Sequence, residues 1–215
     1  MIVNESPRDL ASRLVPGGPV SLAAGTYAGG VLVEASVHVR GTSGVVIQGG
    51  EGGPVLLVDA DELVVTMEDV VLTGGSGEAG GGLRLSGWSE VALHRVVVSE
   101  NSATLSGGGS GGGIYAHRGT LRLVDCTLRQ NHAPHGSAIT LTGAARAEVR
   151  GGLIDGDILV TEGAELTLVG VRVTGRITAR GTSTRAPTVV LRGTRPEGGI
   201  ENDVNLPAAI VVEDA

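Results

Sequence analysis

The sequence predicts an all-β chain wound as a single right-handed parallel β-helix of three parallel sheets, and three observations predict it. Short apolar triplets recur along nearly the whole chain, as IYA, LRL and CTL do between Gly111 and Asn131. The connectors inside that unit, HRGT and VD, hold none of the Asn-Gly or Gly-Gly pairs that close tight hairpins, so each set of three strands makes one turn of a coil. Glycine is abundant, 37 of 215 residues, and falls between the triplets, while the hydrophobic share is 41% and aromatics are only 1%, with no Phe. A core of Val, Leu, Ile and Ala suits narrow, stacked β layers.

Residues 1–19 form the predicted N-terminal cap and residues 20–215 the β-helix. Within the cap, Ser6 to Leu14 is expected to be a short helix, with Ser6 at the N-cap, Pro7 at the first helical position, and Leu10 and Leu14 on one face. Its expected task is to cover the first core layer and the unpaired edges beneath it. First strands then begin at Val31, Val55, Leu83, Ile114, Ile139, Ile158 and Ile177. Second strands follow as VHV, LVV, VAL, LRL, AEV, LTL and VVL, and third strands as VVI, VVL, VVV, CTL, GLI and VRV. With partial coils at VSLAAGTY and AIVVE this gives about eight layers, some 38 Å of rod at roughly 4.8 Å per layer.

Alternation assigns the faces. On the first strands Leu32, Leu56, Arg84, Tyr115, Thr140, Leu159 and Thr178 are expected to point outward in one row. Glu34, Val58, Ser86, His117, Thr142, Thr161 and Arg180 form the next. Leu32, Leu56, Val58, Tyr115 and Leu159 would then make an exposed apolar patch, a feature that marks partner sites. Third strands expose Val46, Val71, Val97 and Leu153, and turn Cys126 inward as an inert thiol. Asn101 and Asn131 end consecutive third strands in equivalent places and are expected to stack as a two-rung amide ladder. The insertions at residues 74–82, 101–113 and 131–137 all precede a first strand and read as flexible Gly/Ser surface loops.

This pattern resembles the right-handed β-helix proteins of the pectin-lyase-like class. VSLAAGTYAGGVLVEASVHVRG is similar to their usual first coil. GGGIYA with LRQN, and GGGLRL with VSEN, resemble the GGxI and FxxN repeats of polymorphic outer-membrane proteins, with Val98 and Leu128 in place of Phe. The resemblance implies the fold across nearly the whole chain and says little of activity. Enzymes of that class act on acidic polysaccharides with clustered Asp, a Gly-His-Gly motif, or Ca²⁺ and an Arg or Lys base. Here there is no Lys and no NTD triplet, and Pro134-His135-Gly136 is only a partial match.

The densest polar group is Arg84, Tyr115, His117, Arg118, His132 and His135, with Trp88 in the SGWSE turn nearby. It contains no carboxylate, so a glycosidase acid/base pair is missing. The histidine spacing is not a recognised ligand set, and Asp59, Asp61 and Glu62 read as a solvated acidic turn, so no metal or cofactor is expected. The net charge of −7 argues against nucleic acid and anionic membrane as partners. The N-terminus lacks the pattern of a signal peptide, which gives the expectation of a cytoplasmic chain, with export by a signal-free route as the alternative.

Three functions follow from this reading. The first is a non-catalytic β-helix that binds another protein through its first-strand face and Gly-rich loops. The second is a carbohydrate-active enzyme or polysaccharide-binding protein. The third is a rod that associates end to end through its open last coil.

Overall fold

In a computed structural model, which describes residues 7–14, 17–104, 109–181, 185–202 and 209–213, the chain winds as a parallel β-helix. First strands build a sheet of 8 strands, second strands one of 9, and third strands one of 8. Every pairing within these three sheets is parallel, each strand lying beside its counterpart one coil on. Inward residues of all three sheets meet in one continuous, mostly aliphatic core that runs from Leu10 to Leu191 and takes in Tyr27 near its N-terminal end. Among the described residues no helix is long and apolar enough to cross a membrane.

The expected helix at Ser6 to Leu14 does not form; Ser6 itself lies outside the described residues. Arg8–Asp9 is instead a strand paired with Tyr27 and Ala28 at the open edge of the third-strand sheet. A single 3-10 turn, Ala11–Arg13, follows it. Leu10 is fully buried between the two. The unpaired edge of a sheet takes up a strand more readily than a two-turn helix satisfies itself, so tertiary pairing overrides the local helical signal. The cap and the first coil thus share one ladder in the third-strand sheet, while the second-strand ladder begins at Pro19.

The second-to-third corner is the most regular part of the chain. Asp69, Arg95, Asp125, Gly151, Gly170 and Gly193 occupy it in six successive coils, with φ of 57, 53, 52, 63, 60 and 55°. Each donates its backbone N–H to the last carbonyl of the next second strand, at 2.9 to 3.1 Å. The left-handed turn therefore lets the inter-coil ladder pass through the corner unbroken.

Asn101 and Asn131 do stack at the third-strand exit. Asn131 Oδ1 accepts the Asn101 backbone N–H and Nδ2–H, both at 3.1 Å. Asn101 Nδ2 also donates to the Leu72 carbonyl at 3.1 Å, and Asn131 Nδ2 donates to that of Val98 at 2.9 Å. Beyond this ladder the described parts of the insertions stack on one another. Ser76–Gly77 pairs with Ser102–Ala103, and Ser102 bridges to His132. A Cβ at Gly81, Gly82, Gly112 or Gly113 would fall within 2.5 to 2.7 Å of backbone oxygen in the next coil. These glycines serve close approach, and residues 105–108 lie outside the described part.

One register expectation fails. Val31 pairs with Leu56, and Leu56 with Leu83, so the strand starts at Leu56 and not at Val55. Leu56 and Val58 consequently face the core, 1% and 0% exposed, and Leu57 takes the outward place. Val55 is also buried, tucked into the corner against Gly29, Gly49 and Gly75, which lack the side chains that would exclude it. In the second-strand sheet Val65 and Met67, rather than Leu63 and Val65, align with Val91 and Leu93.

Leu56→Asp is expected to destabilise the fold by at least about 3 kcal/mol, combining lost core packing with a buried carboxyl. Leu32→Asp, at a residue 49% exposed, should stay within about 0.5 kcal/mol of the parent. Urea denaturation of the two variants reads the difference, and equal stabilities would put the register wrong. Asn131→Ala strands the Asn101 donors and the Val98 carbonyl in the interior and should cost about 2 to 3 kcal/mol in the same assay.

Candidate functional site

The first-strand sheet and its corner to the second strands carry the side chains singled out above. Arg84, Tyr115, Thr140, Leu159, Thr178 and Glu201 lie in one outward row, strand beside strand. The row is polar at most positions. With Leu56 and Val58 turned inward, the expected apolar patch shrinks: exposed Leu32 has partly buried Leu57 beside it at the N-terminal end, and Arg84, Tyr115 and Thr140 separate these two from Leu159. Thr140 is buried although it points outward, because the 131–137 loop folds over it and its Oγ1 donates to the His135 carbonyl at 3.3 Å.

The predicted polar group divides between two open hollows. One, of about 630 Å³, is lined by Trp88, His117, Arg118, Gly143, Ala144, Glu162 and Arg185. The other, of about 530 Å³, brings His135 to Asp157, Thr178, Arg176, Arg180 and Glu201. Arg84 and Tyr115 stand on the strand row. His132 stands apart, with its backbone in the ladder beside Asn101 and Ala103 and its side chain exposed.

In the first hollow Trp88 is 53% exposed, and the Arg118 guanidinium lies 5.9 Å from its ring centre. Asp61 Oδ1 accepts the Trp88 backbone N–H at 2.8 Å, so this member of the acidic turn fixes the loop that presents the ring. Sequence reading missed Glu162. It belongs to a corner two coils beyond His117, in a TEG stretch that carries no motif, and its φ of 56° places it in the left-handed region. Thr142 Oγ1 donates to Glu162 Oε2 at 2.8 Å and holds the carboxylate toward the hollow. The polar group therefore does contain a carboxylate, contrary to expectation. Burial holds the Tyr115 phenol above its ordinary value; Arg84 opposes the rise and Glu162 adds to it.

The arginines of the two neighbouring faces differ in their partners. Along the second-strand sheet and its third-strand corner Arg40, Arg95, Arg122, Arg146, Arg150 and Arg192 each meet a carboxylate. Glu68 in particular is held below the usual carboxylate range by its hydrogen bond from His38 and by Arg40. On the first-strand face Arg176 pairs with Glu201. Arg84 Nε donates to Ser86 Oγ, and Arg118 rests on Trp88. Neither these two nor Arg180 and Arg185 form an ion pair among the described residues.

Cys126 is 2% exposed and its Sγ donates to the Leu93 carbonyl at 3.3 Å. Burial pushes the thiol up from 9.0 to about 11, the opposite of nucleophile activation.

Comparison with protein-family models, with curated proteins and with solved structures finds no match to this chain.

Because the folded thiol holds its proton above the pH at which the unfolded one releases it, the stability tied to Cys126 is complete below about pH 9 and is lost as pH rises toward 11. Denaturation across that window should show the wild type weakening relative to Cys126→Val. Parallel pH profiles for the two proteins would contradict the burial. Thiol labelling of the native wild type should be slow and become fast in denaturant.

Proposed function

We propose that the protein is a rigid, non-catalytic interaction module whose binding surface is the outer face of the first-strand sheet, and that its partner carries negative charge. The observation that supports this is the contrast between faces. A protein of net charge −7 pairs its second-strand arginines with carboxylates, yet on the adjoining face Arg84, Arg118, Arg180 and Arg185 form no ion pair among the described residues. Unpaired guanidinium groups on a stiff scaffold are ready to form bidentate bonds with incoming carboxylates at little reorganisation cost. The scaffold is stiff because, among the described residues, strands, corners and inserted loops hydrogen-bond to the next coil. The partner proposed is another protein, and the surface that recognises it is polar and cationic instead of apolar.

A second reading, binding or processing of an acidic polysaccharide as the resemblance to pectin-lyase-like proteins implies, is favoured by Glu162 beside His117, Arg118 and the exposed Trp88. These supply a carboxylate, a titratable base, a cation and a ring on which a sugar could stack.

The test is affinity capture from the native host with wild-type bait, an Arg84→Glu/Arg180→Glu bait and an Arg122→Ala control from the second-strand face. The partner should be lost only from the first-strand variant. Its retention there would move the binding surface elsewhere. Incubation with polygalacturonate, alginate and chondroitin, with and without Ca²⁺, should yield neither unsaturated product nor new reducing ends; activity abolished by Glu162→Gln or His117→Ala would establish the second reading.

A further inference from the structure

Five successive coils, with first strands Leu83–Leu85, Ile114–Ala116, Ile139–Leu141, Ile158–Thr161 and Ile177–Arg180, each add to the first-to-second corner. In order they place there Trp88, Arg118, the small pair Gly143 and Ala144, then Glu162 and Arg185. The small pair keeps the middle of the hollow low. The imidazole of His117 packs on Gly143, where a Cβ would meet it at 2.9 Å. From the coil of Arg118 to that of Arg185 is three strand spacings, about 14 Å, which an extended chain rising about 3.3 Å per residue covers in about four residues.

The geometry points to an extended acidic segment of a protein as the ligand of this corner, lying along the solenoid axis with one carboxylate on Arg118 and a second, about four residues away, on Arg185. The inference rests on the first-strand face being the binding surface, and adds the chemistry and spacing of the partner. Residues four apart in an extended chain share a face, so both carboxylates reach down together. Glu162, between the two arginines, disfavours a third acid at the midpoint and accepts a neutral or basic residue there. One coil beyond Arg118 the ring of Trp88 offers apolar contact to a side chain about two residues outside the first acid. A ring at one end and two arginines along the corner, with partly buried Leu159 on the neighbouring strand row, are residue types that dominate protein interfaces. An oligosaccharide would find one exposed ring, at one end only, and a central carboxylate already engaged by Thr142.

Trp88 is the only tryptophan in the chain, so its emission reports occupancy of this corner without a label. Titration of the wild type with a synthetic peptide bearing an apolar residue, then two acids four residues apart, should give a saturable change in that emission. Arg118→Ala and Arg185→Ala should each weaken binding roughly tenfold, and added salt should weaken it further. A peptide of the same composition with adjacent acids should bind less tightly than the spaced one. No saturable change, equal affinity for the two spacings, or a larger response to oligogalacturonate than to peptide would overturn the assignment. Partner capture that depends on Arg84 and Arg180 while the peptide fails to bind would sink this inference and leave the proposed binding face standing.

Discussion

Parallel hydrogen bonding between coils runs through the corners as well as the strands, and most of the chain's composition follows from keeping it unbroken. A buried backbone N–H or carbonyl that misses its partner costs more than almost any side-chain contact returns. At the second-to-third corner the requirement is met by one left-handed residue at the same place in six coils, whether Asp, Arg or Gly. At the third-strand exit it is met by amides: Asn101 and Asn131 stand in for backbone groups that the turn leaves open. Where insertions follow, glycines allow neighbouring backbones to approach so closely that no side chain fits between them. The glycine content and the Asn pair are thus two answers to one need.

Electrostatics then separates the faces that this scaffold presents. Opposite charges on adjacent coils stand one strand spacing apart, near enough for Arg122 to meet Glu90 at 3.0 Å and Arg146 to meet Glu165 at 3.2 Å. Such exposed pairs add little stability. Their effect is to leave that face nearly neutral at short range. On the first-strand face the strand neighbours of Arg84 are Leu57 and Tyr115 and that of Arg180 is Thr161, so the regular cross-coil pairing of opposite charges seen on the second-strand face is not repeated there.

Coils, sheets, the inward Cys126 and the Asn ladder were legible in the sequence because each repeats a local pattern at a fixed place in the coil. The Leu56 register was not. Val55-Leu56-Leu57-Val58 is apolar at both parities, so alternation cannot choose between them, and the choice is made by glycines elsewhere that open a corner for Val55. The N-terminal segment misled for a different reason. Its capping signals were read locally, while its conformation answers to an unpaired sheet edge that precedes no helix in the sequence. Glu162 escaped notice because only the stacking of coils brings it beside residues far from it along the chain. The polar cluster of histidines and arginines was found in composition but not in arrangement; the 131–137 loop carries His135 to one hollow while His117 remains in the other.

The uniform second-to-third corner bears on how a chain of this kind can grow. A coil that begins and ends at that corner meets the same backbone geometry on either side, so an in-frame copy of one whole coil could be spliced between its neighbours without disturbing either. Length is therefore a quantity that gene duplication can change in single steps, and each added step would extend the row of outward positions by one place.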